Sequence, residues 1–139
     1  MGNDEQNKAA VRACFEQASQ GNFDALDDIL TGDYVLHPEE VQGADGLKEM
    51  VQGYREALDG LKVTIDQQFT DGDYVATRYT ITGTHVGDLM GVPPSGKDVS
   101  VTGITISRCD AGRIAEEWEL TDVAGFLGQI GALPTLVQR

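Results

Sequence analysis

From Asn3 to Ser19 the apolar residues Val11, Cys14, Phe15 and Ala18 return every three or four positions, the spacing of one helix face. Asn3 or Asp4 can cap that helix and Gly21 can stop it. Phe23, Leu26, Ile29 and Leu30 predict a second, shorter helix, after which "DYVLHP" reads as a short strand ended by Pro38. Leu47, Met50, Val51, Tyr54 and Leu58 mark a third helix closed at Gly60. From Leu61 the period changes to two. "LKVTIDQQFT", "DYVATRYTITGTH", "DVSVTGITISR" and "RIAEEWELTD" are strand-like, separated by "DG", by a long loop and by "CDAG". Four consecutive strands of this kind imply an antiparallel sheet, and "VAGFLGQIGALP" offers a closing helix. With no repeat or linker, residues 1–139 are expected to form one α+β domain.

The last strand poses a problem. Strict alternation places Ile114, Glu116, Trp118, Leu120 and Asp122 on one side and Ala115, Glu117, Glu119 and Thr121 on the other, so neither side is cleanly apolar. Burying an unpaired carboxylate costs several kcal/mol or moves its pKa. A carboxylate sharing a face with the chain's only tryptophan therefore suggests a pocket, with Asp122 in it beside Trp118. Glu117 and Glu119, on the opposite side, are expected to meet water or an interface.

Composition narrows the function classes. Hydrophobic content of 40% and charged content of 24% suit a folded domain rather than a disordered chain. A formal net charge of −13 opposes nucleic acid and other polyanions, whose phosphates such a surface repels. The apolar runs are far shorter than a membrane span, and the amino terminus lacks the basic and apolar blocks of a secretory signal, so the expected location is the cytoplasm, with no membrane partner. Cys14 and Cys109 show no thiolate-stabilising neighbours and are read as packing or idle residues. "GVPPSGKD" imitates a phosphate loop, but Pro93 and Pro94 remove donors, Asp98 stands where Ser or Thr belongs, and a strand follows.

The remaining candidates are His37, His85, Arg78, Glu116, Glu117, Asp122 and tyrosines 34, 54, 74 and 79. No metal-ligand spacing or nucleophile motif occurs, so neither metal nor organic cofactor is expected. Acid–base chemistry fits what is left. A carboxylate in an apolar pocket has a raised proton affinity, and an imidazole or guanidinium nearby can stabilise an enolate. Asp122 is the candidate base, His85, His37 and Arg78 the donors, and Trp118, Tyr34, Tyr54 and Met90 the substrate-contacting residues. Each has a structural alternative. Asp122 can cap the last helix, His85 can bond the "GVPPSG" loop, His37 can end its strand, and Arg78 can pair with Glu116 or Glu117.

The run "GTHVGDLMGVPPSGKDVSVTGITISRCDAGRIAEEWELTD" resembles the signature half of the SnoaL-like polyketide cyclases, with G-T-H, G-x-P-P-[ST]-G-K, G-[KR]-I-x-E-x-W and a trailing Asp in order. "DYVLHP" and "VAGFLGQIGALP" are similar to the family's first strand and closing helix. The resemblance implies a nuclear-transport-factor-2-like cone, a curved antiparallel sheet around helices enclosing a deep pocket, in a homo-oligomer (dimer or tetramer). It implies cofactor-independent, aldol-type ring closure of a hydrophobic polyketide ester by a lyase or isomerase. Asp122 then matches the general acid/base, and His37 and His85 the assisting histidines. The chain departs from the pattern at Glu117, where many relatives carry His after the Glu of E-x-W, and at Ser107, where one finds His before the arginine corresponding to Arg108. A non-catalytic binder of a small hydrophobic carbonyl-containing ligand, and epoxide hydrolysis in the same pocket, stand as the rival functions.

Overall fold

The computed structural model describes residues 3–132. Helix α1 (Asn3–Ser19) ends where Gly21 takes φ of +81°, and a 3-10 turn at Phe23–Ala25 runs into the single turn α2 (Leu26–Ile29). Strands β1 (Leu30–His37) and β2 (Val41–Gln42) follow, then α3 (Gly43–Ala57). Strands β3 (Leu58–Asp71), β4 (Tyr74–His85), β5 (Asp98–Asp110) and β6 (Arg113–Thr121) precede α4 (Val123–Gln129). The expected helix from Leu47 stops at Ala57, because Leu58 already pairs with His85 as the first residue of β3. The expected closing helix ends at Gln129, and its last two residues, 133 and 134, lie outside the described residues.

The strand order is β2-β1-β6-β5-β4-β3. The four late strands form the expected antiparallel meander, whereas β1 lies parallel to β6, so the sheet is mixed. It curves without closing, and helices α1 and α3 pack within the curve. Val11, Leu26, Leu30, Leu36, Leu47, Val75 and Ile114 form one buried cluster, and Leu58, Val99, Val101, Phe126 and Ile130 a second. Each fully buried aliphatic or aromatic side chain contributes about 1.5–3 kcal/mol relative to exposure. Cys14 and Cys109 are both buried and unpaired, and burial pushes both thiols up, Cys109 to about 11. Among the described residues no helix is long and apolar enough to cross a membrane.

A bulge in β6 overturns the alternation read from the sequence. Arg108 pairs with Glu116 but Cys109 pairs with Ile114, which leaves Ala115 as an extra residue. Ile114 and Ala115 are therefore both buried, and beyond the bulge Glu117, Glu119 and Thr121 turn inward. Glu116, Trp118 and Leu120 turn outward. A slip of one residue exchanges the faces of everything after it.

Candidate active site

A cavity of about 90 Å³ lies between the helices and the inner face of the sheet. Its walls are mostly apolar: Cys14, Phe15 and Ala18 from α1, Leu47, Met50, Val51 and Tyr54 from α3, and Leu61, Val63 and Ile81 from β3 and β4. Its polar wall is the sheet, with Tyr79, Thr105, Glu117, Glu119 and Thr121. Neither Lys, Arg nor His lines it among the described residues. Pockets for drug-sized ligands span roughly 300–1,000 Å³, so this one does not enclose the fused-ring skeleton that the sequence suggested.

Glu117 is 6% exposed and has a donor on each oxygen: the Tyr34 hydroxyl donates to Oε1 at 2.6 Å and the Ser107 hydroxyl to Oε2 at 2.5 Å. The two positions at which the chain departs from the family's histidines thus meet as one hydrogen-bonded pair. Burial holds the Glu117 carboxyl above its ordinary value, opposed by the Ser107 and Tyr34 hydrogen bonds and reinforced by the charge of Glu119. Its partner Tyr34 is pushed up by burial and by the same carboxylate, so the phenol stays a donor.

Glu119 follows two residues later on the same face, a rise of about 6.8 Å along the strand. Its Oε1 accepts from the Tyr79 hydroxyl at 2.7 Å and from the Thr105 hydroxyl at 3.3 Å. Burial raises its pKa too, with those hydrogen bonds pulling the other way. The Tyr79 ring reaches this carboxylate by lying over Gly103, its partner across β4 and β5; a Cβ there would collide with the Tyr79 hydroxyl. Phe15 packs on the Tyr79 ring at 4.9 Å between centroids. Tyr54 lines the cavity with its phenol raised by burial and by the charges of Glu119 and Glu39.

Of the residues singled out from sequence, Tyr54, Tyr79 and Glu117 line the cavity and Tyr34 stands behind Glu117; the rest lie elsewhere. Asp122 is exposed and caps α4, accepting from the Gly125 N–H at 2.9 Å. That geometry corrects the pocket-base reading, because the unsatisfied N–H of the helix start holds the carboxylate outside. Trp118 lies on the outer face, 38% exposed, with the His37 ring stacked on it at 5.5 Å. His37 Nε2 meets Glu116 Oε2 at 2.7 Å, which together with Arg108 lowers the Glu116 pKa. Arg78 is also outside and donates to Gln67 rather than to Glu116 or Glu117. His85 is fully buried but outside the cavity wall: its Nδ1 accepts from the Ser95 N–H of the "GVPPSG" loop at 3.2 Å, and its Nε2 has no partner among the described residues. Met90 sits in that long loop, 41% exposed and at φ of +53°, away from the cavity.

Sequence reasoning missed Glu119. The local signal was the doubled apolar step Ile114–Ala115, two buried residues in succession that strict alternation does not accommodate. Among the described residues no group of three or more His, Cys, Asp and Glu is placed to hold a metal ion.

The family model described as SnoaL-like polyketide cyclase matches residues 8–130. No curated protein matches the chain. Among solved structures, TsrD from Streptomyces laurentii is 27% identical, with 94% of this chain and 98% of that one covered and a TM-score of 0.86. IdmH from Streptomyces antibioticus is 28% identical over 91% of this chain and 99% of its own, at a TM-score of 0.78. A Catenulispora acidiphila protein with a ketosteroid isomerase-like fold, 21% identical over 90% and 93% of the two chains with a TM-score of 0.72, shares the cone.

Proposed function

Since the chain belongs to the SnoaL-like polyketide cyclase family, we propose that it catalyses an aldol-type ring closure within a hydrophobic carbonyl compound, with Glu119 rather than Asp122 moving the proton. One observation carries the assignment. Both hydrogen bonds to Glu119 fall on Oε1, so Oε2 of this cavity-lining residue is left for a substrate. Raised proton affinity makes Glu119 a stronger base than a carboxylate in water and a usable acid afterwards.

In the first step Oε2 takes a proton from the carbon α to a carbonyl, and the C–H electrons move to the carbonyl oxygen. The Tyr54 hydroxyl, kept protonated by burial, donates to that oxygen. The enolate carbon then attacks a second carbonyl of the same molecule, and the new alkoxide recovers the proton from Glu119. Glu117 keeps its hydroxyl partners throughout and holds the floor of the site. A cavity of about 90 Å³ admits the reacting end of a substrate, with any larger body left at the mouth.

Proton abstraction is tested without knowing the product. The protein is incubated in deuterium oxide with small hydrophobic β-keto esters and aromatic polyketide mimics, and label α to the carbonyl is followed by mass spectrometry. Exchange that persists in Asp122→Asn and is lost in Glu119→Gln supports the reading. Ligands that bind by calorimetry but exchange no faster than in buffer would make the cavity a binding site only.

A further inference from the structure

Gly103 stands in the middle of β5, where neither a turn nor the backbone asks for glycine. It does not share the positive φ of Gly21, Gly60, Gly72 and Gly112. Glycine inside a strand forfeits a packing side chain and marks the close approach of another group. That group is the Tyr79 phenol. Tyr79 pairs with Gly103 across β4 and β5, and a Cβ at position 103 would stand 2.5 Å from Tyr79 Cζ and 3.0 Å from Cε2, with the hydroxyl oxygen closer still. Tyr79 is 1% exposed and Phe15 packs on its ring at 4.9 Å, so the ring is held where it lies.

The approach delivers a hydroxyl to one oxygen. Tyr79 donates to Glu119 Oε1 at 2.7 Å, and Thr105, two residues beyond Gly103 on the same face of β5, donates to the same oxygen at 3.3 Å. Donors from two strands fix Oε1, and with it the direction of Oε2. A carboxylate bonded by Thr105 alone would turn about its last torsion, which is broad and two-fold in glutamate. Of the ionisable groups around Glu119, Cys14 of α1, Tyr34 of β1 and Tyr54 of α3 are kept protonated by burial, and Glu117 and Glu39 are acids. Among the described residues Tyr79 is the ionisable group that donates to Glu119. Burial raises the Glu119 pKa, and the Tyr79 hydrogen bond is the strongest influence against it, ahead of Thr105.

We infer that Tyr79 is the positioning residue for the Glu119 base and that Gly103 is the notch that admits it. The inference rests on the reading of Glu119 as the base, and adds to it what aims Oε2 at the substrate. While Oε2 takes the proton from carbon, the Tyr79 hydroxyl stays on Oε1, so the carboxyl keeps one orientation for removing the proton and for returning it. Because the phenol steadies the ionised form, Glu119 gives its proton to the new alkoxide more readily than a carboxyl held by burial alone.

Carboxyl titration by NMR, in protein carrying glutamate isotopically labelled at the δ carbon, tests this without substrate. The Glu119 signal is assigned by its loss in Glu119→Gln. Tyr79→Phe keeps the ring and its packing on Phe15, and should move the Glu119 midpoint up by about one pH unit. Thr105→Val should move it the same way and less, because its bond is longer. In the deuterium exchange assay the acid limb of the rate profile should move to higher pH in Tyr79→Phe, since only ionised Glu119 takes a proton. The exchange kcat should fall ~10–100-fold with KM within a few-fold, the cost of misaiming a base. Gly103→Ala should move the same midpoint, and no further where Tyr79→Phe is already present. A Glu119 midpoint unmoved by Tyr79→Phe overturns the inference, as does a further shift in the double variant. A rise in KM at unchanged kcat also overturns it, making Tyr79 a substrate contact. Exchange that survives Glu119→Gln removes the base assignment instead, and the titration still decides whether Tyr79 governs that carboxylate.

Discussion

Glu116 and Glu117 are adjacent in the chain and opposite in behaviour. Glu116 faces outward between His37 and Arg108, and those partners lower its pKa. Glu117 faces inward among hydroxyls and apolar walls, and burial raises its pKa. The same contrast runs along the strand: Trp118 and Leu120 are outside, Glu119 and Thr121 inside. In β6 the polar face is the buried one. That arrangement is stable because each inward carboxylate meets phenol or hydroxyl donors from β1, β4 and β5. The lesson is that face assignment in a strand follows the supply of partners and the register, not the apolar count alone.

The largest effect separating the two faces is catalytic. Glu119→Gln should cut exchange and turnover ~10²–10⁴-fold, the usual contribution of a positioned acid or base, while leaving ligand affinity within a few-fold by calorimetry. Asp122→Asn should change neither. Equal loss in both variants would erase the distinction between inner and outer carboxylates.

Next comes stability. Tyr34→Phe deprives a buried carboxylate of a 2.6 Å hydrogen bond and should cost about 1–3 kcal/mol in urea unfolding at neutral pH. Asp122→Ala removes a helix cap from the rim and should cost about 1 kcal/mol with exchange unchanged.

The smallest effects are the sharpest in sign. A carboxyl whose folded pKa is raised keeps its proton in the folded state while the unfolded chain ionises. Stability therefore falls as pH rises from the ordinary value of 4.5 through the folded value of Glu117. Glu117→Gln should remove that fall, gaining on the wild type toward neutral pH. Glu116 has the opposite linkage: its stabilisation is present above the ordinary value and is lost as pH falls through its depressed folded pKa. Glu116→Gln should therefore differ from wild type near neutrality and converge with it in acid. Denaturant titrations at a series of pH values read both slopes, and parallel slopes would contradict the opposite environments.

Much of the cone was legible in the residues. The helical spacing of Val11, Cys14, Phe15 and Ala18, the period of two from Leu61 onward and the turn chemistry around Gly72 and Gly112 are local signals, and the structure has α1, α3 and the β3–β6 meander where they point. The signature from Gly83 to Asp122 likewise pointed to the family that the match over residues 8–130 shows. The parallel pairing of β1 with β6 was not legible, since it joins residues some eighty positions apart and leaves no local pattern.

The site was legible as chemistry and not as placement. The residue types pointed to a carboxylate base, Asp122, but gave the donor role to His37, His85 and Arg78 and kept Tyr34 and Tyr54 as substrate contacts only. Which carboxylate faces the cavity depended on one extra residue at Ala115 and on where Tyr34, Tyr79, Thr105 and Ser107 came to rest. Periodicity is a property of neighbours in the chain, so it survives without the fold. Burial and hydrogen-bond partnership are relations between distant segments, and they exist only once the sheet has curved around the helices.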